Sequence, residues 1–276
     1  MFETLRRINL FLPPPLHINM SRYSDNAMSL VLISDGHDGA QDFEYNSQNH
    51  FINRFPIDVD CQTFEYEVAL TKMKFLNSIY NLPSGEIHNI RMISRDSTEG
   101  GEETNLELAP GYYSVKDIQS CINRKFNGLS MDIDSQSEKI AITNEREDSR
   151  IEFSKALGNI LGFEGGSDFE RGEKITAPNV FNVNQTNQLY VYCSMVTADH
   201  MIGGALTNLL CICPINTTEF NKCVVYEPVH LNFLPVKRQH FLYATIYIYD
   251  HCGKPVSFET GSIEVHIKLR RTSPFL

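Results

Sequence analysis

The chain has 276 residues, of which 42% are hydrophobic, 11% aromatic and 21% charged, a composition that supports a packed core and excludes a disordered chain. The formal net charge of -10 excludes a nucleic-acid coat with a basic surface throughout, because neutralising phosphates needs an excess of Lys and Arg. Local basic patches remain at Arg6-Arg7 and at Lys268, Arg270 and Arg271, and the length suits one large or two modest domains.

Residues 1–45 read as an N-terminal arm. Phe2, Leu5, Ile8 and Leu12 fall on one helical face, and Pro13-Pro14-Pro15 end any helix. A polar run through Ser21, Ser24, Asp25 and Asn26 follows, then a loop at Asp35-Gly36-His37-Asp38-Gly39. An arm with short ordered pieces is expected to dock on a neighbour.

Strands begin near residue 50. Phe64, Tyr66, Val68 and Leu70 share one face, Glu65, Glu67 and Ala69 the other, so this sheet has one wet side. A turn at Pro83-Ser84-Gly85 precedes a strand from Ile87 to Ile93, and Ser97 to Glu103 reads as an exposed loop. After a strand at Thr104 to Leu108, Ala109-Pro110-Gly111 turns the chain. Ser114 caps a helix with Asp117 as its partner. Val115, Ile118, Ile122 and Phe126 follow at helical spacing, and Gly128 ends it. Short strands are expected at Leu129 to Ile133, Lys139 to Thr143 and around Ile151-Glu152-Phe153. Ser154 is expected to cap a second helix carrying Leu157, Ile160 and Leu161, closed by Gly162. Residues 164–185 read as a long loop.

From residue 188 the signal is almost wholly β, with runs at 188–196, 207–213, 222–235, 239–249 and 262–270. Phe241 to Tyr249 is the strongest, rich in aromatic and β-branched residues. It ends in a turn at Asp250-His251-Cys252-Gly253-Lys254-Pro255, and Pro235 marks an edge or a corner. Unevenly spaced strands around a long excursion predict an all-β fold, a sandwich or jelly roll rather than an up-and-down barrel, with an inserted α+β subdomain. The expected division is an arm at 1–45, the jelly roll at 46–100 and 180–276, and the insert at 101–179. No βα alternation points to a parallel-sheet fold.

Candidate chemistry is sparse. Asp199-His200 and Asp250-His251 sit at strand ends, where polar turn residues belong, and no Ser or Cys stands in a nucleophile-elbow context. Cys211-x-Cys213, with Cys193, Cys223 and His230, lacks zinc-ribbon spacing, and Cys193 and Cys223 read as small buried hydrophobes. Asp35 to Gly39 lacks the alternating carboxylates of a calcium loop. Gly100-Gly101 and Gly165-Gly166 lack the Lys-Ser or Lys-Thr of a phosphate loop. No catalytic residue, metal site or cofactor is expected. Seven scattered cysteines imply a reducing compartment. Neither a membrane span nor a secretory signal is visible, so the sequons at Asn19, Asn184 and Asn216 are expected to be idle.

Several segments together, over about residues 50 to 271, resemble one family. In order they are Tyr66-Glu67-Val68-Ala69-Leu70, Leu82-Pro83, Pro110-Gly111-Tyr112-Tyr113-Ser114, Leu157-Gly158-Asn159-Ile160-Leu161-Gly162-Phe163, Gln188-Leu189-Tyr190-Val191-Tyr192-Cys193, Tyr226-Glu227-Pro228-Val229-His230, the strand from His240 to Asp250 with Gly253, and Leu269-Arg270-Arg271. The chain is identified from these as similar to the penton, or minor capsid, proteins of Polinton/Maverick-type elements, virophages and related double-stranded DNA viruses. The family often has Trp where this chain has Tyr66, and Phe where it has Leu269.

The resemblance implies a single jelly roll, five copies of which close the fivefold vertex of an icosahedral shell in the virion. Its implied partners are itself as a homopentamer, a double-jelly-roll major capsid protein and other minor capsid proteins, with no nucleic acid, no membrane and no enzymatic activity. Assembly would occur in host cytoplasm or nucleus. Candidate assembly contacts are Phe2, Leu5, Ile8 and Leu12 in the arm and Arg270 and Arg271 at the last strand. Two alternatives differ in class. One is a jelly-roll module binding a glycan or receptor, with Tyr112-Tyr113 as its platform. The other is an enzyme on a β-sandwich using His200 or His251.

Overall fold

The computed structural model describes residues 27–34, 46–94, 103–134, 136–145, 149–164, 167–169, 172–183, 186–217 and 219–272. In chain order the first elements are β1 (Ala27–Ile33), β2 (His50–Asp60), β3 (Tyr66–Leu76), β4 (Asn89–Ser94), β5 (Glu103–Glu107), α1 (Val115–Lys125), β6 (Leu129–Asp134), β7 (Lys139–Asn144) and β8 (Ser149–Phe153). Next come α2 (Lys155–Leu161), β9 (Ser167–Phe169), β10 (Lys174–Thr176), β11 (Gln188–Cys193), β12 (His200–Ile202), β13 (Ala205–Thr207) and β14 (Leu209–Pro214). The last are β15 (Cys223–Tyr226), β16 (Leu234–Pro235), β17 (His240–Tyr249) and β18 (Glu264–Arg271).

Two antiparallel sheets form a sandwich. One runs β1-β18-β3-β15, with β16 also on β3; the other runs β14-β11-β17-β2. Leaving aside β16, these strands pair from the outside inward along the chain: β1 with β18, β2 with β17, β3 with β15, and β11 with β14. That is one long antiparallel ribbon. Two further ladders, β3 with β18 and β11 with β17, roll it into a pair of facing sheets. A ribbon rolled this way is a jelly roll, so the fold is an all-β single jelly roll with an α+β insertion between its third and fourth strands.

Alternation, reset in β3 by a one-residue bulge at Thr71, decides which side chains meet in the middle. Val68, Leu70, Met73 and Phe75 of β3, with Val265, Ile267 and Leu269 of β18, face Phe51, Val191, Ile246 and Ile248 of the other sheet in one core. The insertion has its own core, in which Ile118 and Ile122 of α1 and Leu157, Ile160 and Leu161 of α2 pack with Ile90, Met131, Ile140, Ile142 and Ile151. Its sheets run β10-β7-β6 and β5-β4-β8-β9. The α1 capping box is present, with the Asp117 N–H donating to the Ser114 hydroxyl and the Ser114 N–H to the Asp117 carboxylate.

Several expectations change. Ala27–Ile33, inside the expected arm, is an edge strand on β18; apolar except at Ser29, it shows no alternation. β4, expected in the jelly roll, joins the insertion sheet, and Leu82 and Val183 join its core. The run at 222–235 is strand only at its two ends, with an exposed stretch after Pro228. The loop at 164–185 holds β9 and β10, and the hairpin β12-β13 was not foreseen. Ser154 makes no side-chain cap; its hydroxyl accepts the Asn89 N–H instead, tying α2 to β4. Phe64 lies just outside β3 and is 37% exposed. The loops at Asp35 to Gly39, Gly100-Gly101 and Gly165-Gly166 lie outside the described residues.

Gly162 closes α2 with φ +84, and a Cβ there would stand 2.2 Å from the Asn179 carbonyl oxygen. Gly162→Ala is therefore expected to cost more than about 2 kcal/mol, from left-handed backbone strain plus steric overlap with backbone. Ser114→Ala, which removes only the cap, is expected to cost about 1 kcal/mol. Urea unfolding midpoints check both, and the reverse order contradicts this reading of the insertion.

Candidate assembly surface

The start of β3 and the end of β18 lie side by side, which sets Arg270 opposite Glu67 and Arg271 opposite Tyr66. Arg270 Nε and Nη2 donate to Glu67 Oε2 at 3.0 and 2.8 Å. Its guanidinium also lies 3.5 Å from the Phe233 ring centre, while that of Arg271 lies 3.2 Å over the Phe64 ring. Arg238 pairs with Glu65, whose carbonyl accepts the Thr272 N–H at 2.9 Å. Guanidinium is weakly hydrated and planar, so it lies flat on rings more readily than an ammonium does. Exposed ion pairs of this kind contribute only about 0–1 kcal/mol each, so this rim shapes a surface more than it holds the fold.

Apolar side chains stand exposed elsewhere on the sandwich. Val229 and Leu231, on the stretch linking β15 to β16, are 91% and 41% exposed. On the hairpin, Met201 and Leu206 sit directly opposite one another and are 73% and 65% exposed. The hairpin turns through Gly203 and Gly204, whose φ of +57 and +85 suit the tight turn that matches strand twist. Large apolar groups left on a surface mark contact regions.

The two outer faces differ. That of the β1-β18-β3-β15 sheet is a charge ladder: Lys74 with Glu264 at 2.8 Å, Lys72 with Glu227 at 3.2 Å, and Arg270 with Glu67. That of the other sheet carries Tyr190, Tyr192, Tyr247 and Tyr249, with His50 stacked on Tyr247 at 4.6 Å.

The remaining candidates take ordinary structural places. Asp250 Oδ1 accepts the N–H of Cys252 and of Lys254, which makes a turn with Gly253 at φ +74. His200 opens β12, and its carbonyl accepts the Thr207 hydroxyl. The Tyr112 ring stacks on Phe220 at 5.1 Å, beside a cleft of about 350 Å³ whose lining includes Asn81, Asp250 and Lys254. Cys193 and Cys213 are buried in the core, but Cys223 is exposed, against expectation, because its edge strand turns it outward. Among the described residues no group of His, Cys, Asp and Glu is arranged to hold a metal, and no helix is long and apolar enough to cross a membrane. Phe2, Leu5, Ile8 and Leu12 lie outside the described residues.

No family model matches the chain, and no curated protein matches it in sequence. Among solved structures the chain is similar to the mavirus penton protein, with a TM-score of 0.50 at 11% identity, over 90% of this chain and 99% of that one. Two structures of the Escherichia coli flagellar cap protein FliD align with TM-scores of only 0.24 and 0.23, at 11% and 9% identity, which is too low to carry an argument. The likeness to the mavirus protein shows the fold.

Burial pushes the thiols of Cys61 and Cys213 up to about 12 and that of Cys193 up to about 11, from an ordinary 9.0. A raised pKa of this kind leaves stability intact below pH 9.0 and removes it progressively as pH climbs from 9.0 to the folded-state values. Urea midpoints are expected to hold level up to about pH 8.5 and to fall by about pH 10.5. At about pH 7.5 a maleimide should label Cys223 and Cys252 first, since thiolate access governs the rate. Early labelling of Cys193 or Cys213 contradicts the sandwich core.

Proposed function

We propose that the chain is a structural, non-enzymatic capsid protein, a penton-type subunit that forms a homopentamer at the fivefold vertices of an icosahedral shell. The observation that carries this is the end-to-end match of a jelly roll plus insertion to the mavirus penton protein, over 90% of one chain and 99% of the other. The sequence segments that resemble penton proteins lie on β3, α2, β11, β17 and β18, on the turn that leads into the α1 cap at Ser114, and in the loops at Leu82-Pro83 and after Tyr226, so they span both the sandwich and the insertion.

The surface is consistent with a ring. Closure around a fivefold axis requires heterologous contacts, one patch meeting a different patch on the next copy. The sandwich offers two unlike faces, one a charge ladder and one rich in tyrosine, and aromatic residues are enriched where interfaces bury them. We assign Arg270, Arg271 and their stacked rings to the rim of a contact. We assign residues 1–26, with Phe2, Leu5, Ile8 and Leu12, to an arm that docks on a neighbouring copy or on the major capsid protein. An interface of standard size, about 1,600 Å² in total, is enough for each neighbour contact.

Native mass measurement tests the reading. The full chain, alone or with its major capsid partner, is expected to give a species five times the 31.5 kDa of one copy. Arg270→Glu, which sets two acids opposite each other, is expected to weaken that species about tenfold or more while shifting the unfolding free energy by only about 1 kcal/mol. Deletion of residues 1–25 is expected to reduce pentamer and particle formation. A stable monomer under every condition, or unchanged assembly in both variants, contradicts the proposal.

A further inference from the structure

Among the described residues no strand pairs with the outer edge of β1. In its ladder with β18, Ala27 to Ile33 pair with Arg270 to Glu264, and the next N–H, that of Ser34, donates to the Ile263 carbonyl. Even-numbered residues of β1 therefore bond to β18, and the N–H and C=O of Ala27, Ser29, Val31 and Ile33 point away from the sheet. At Ile33 those groups are satisfied by the Asn53 side-chain amide, which accepts the Ile33 N–H at 2.8 Å and donates to the Ile33 carbonyl at 3.1 Å. One side-chain amide thus supplies Ile33 with the donor and acceptor of a neighbouring strand. No described residue does the same for Ser29 or Val31, and Val31 is 50% exposed.

β1 also lacks the devices that keep edges single. Ala27-Met28-Ser29-Leu30-Val31-Leu32-Ile33 contains no charge and no proline. A seven-residue uncharged edge of this kind is a template for another strand. The chain carries a matching segment: Leu16-His17-Ile18-Asn19-Met20 alternates apolar and polar residues, has no formal charge at neutral pH, and begins directly after Pro13-Pro14-Pro15.

We propose that residues 16–20 of a second copy add as a strand to the open edge of β1, using the backbone groups of Ser29 and Val31. The inference rests on the ring reading above and gives the arm a specific seat. It also supplies the unlike patches a ring needs, an arm from one copy and an edge from the next. Main-chain hydrogen bonds provide the affinity and alternate side chains the register, as in other strand additions.

Hydrogen exchange on the full chain, at concentrations above and below its association, tests this. The Ser29 and Val31 amides are expected to exchange about tenfold or more slowly in the associated form, while those of Met28, Leu30 and Leu32 are protected in both. Ser29→Pro removes only an outward N–H and so leaves the β18 ladder whole. It is expected to abolish the protection of Val31 and weaken association, with core exchange unchanged. Val31→Lys, which places a charge on the edge, serves as the second variant and is expected to weaken association in the same way. Protection of Ser29 and Val31 that is independent of concentration means the chain covers its own edge, and overturns the proposal. A pentamer whose Ser29 and Val31 amides stay unprotected also overturns it, while leaving the vertex reading in place. Concentration-dependent protection in a dimer supports the strand addition and instead removes the fivefold reading.

Discussion

The ladder between β3 and β18 is the constraint on which the rest of the molecule depends. It joins residues such as Thr71 and His266 that are 195 apart in sequence, and without it the antiparallel ribbon cannot roll. Closing a loop of that length costs about 5 kcal/mol of chain entropy by the logarithmic law. Burying Val68, Leu70, Met73, Phe75, Val265, Ile267 and Leu269 returns about 1.5–3 kcal/mol for each side chain, so hydrophobic burial outweighs closure. The cross-strand pairs Lys74–Glu264 and Arg270–Glu67 stand near opposite ends of the ladder. At about 0.2–1 kcal/mol each they contribute mainly to register. The same law explains why an insertion is tolerated after β3: doubling a loop adds only about 0.6 kcal/mol, and the insertion brings its own core.

The roll also determines what the surface presents. Alternation along β3 and β18, reset by a one-residue bulge at Thr71, assembles Glu67, Lys72, Lys74, Glu264 and Arg270, with Glu227 of the stretch after β15, into a neutralised ladder. The same rule applied to β11 and β17 brings Tyr190, Tyr192, Tyr247 and Tyr249 together. Two unlike faces on one small sandwich meet the geometric requirement of a closed ring. In the strand addition proposed above, the β1 edge, which no described strand covers, would supply a second pair of unlike patches at the level of the backbone.

What could be read in the sequence follows from how local its cause is. The α1 cap was legible because Ser114 and Asp117 are three residues apart, and β17 because Phe241 to Tyr249 is uniformly β-prone. The outward face of β3 was legible in part. Ala69, on the acidic register, is in fact fully buried, something only a neighbouring element can decide. β1 was missed because its pairing with β18 is a tertiary fact and its own residues, apolar except Ser29, do not alternate. The hairpin was within reach, since Gly203-Gly204 between two short apolar runs is a turn signal. Cys223 was misplaced because an edge position is invisible until the sheet order is known. The position of Arg270 and Arg271 at a strand end was legible, but their partners Glu67, Phe233 and Phe64 are set by the fold and lie far away in sequence.

Electron microscopy of the purified chain tests whether this jelly roll is a ring-forming subunit. Class averages of negatively stained particles are predicted to show rings with fivefold symmetry, with the sandwiches arranged around a common axis. Particles the size of a single copy at all concentrations, or closed twofold dimers, contradict it.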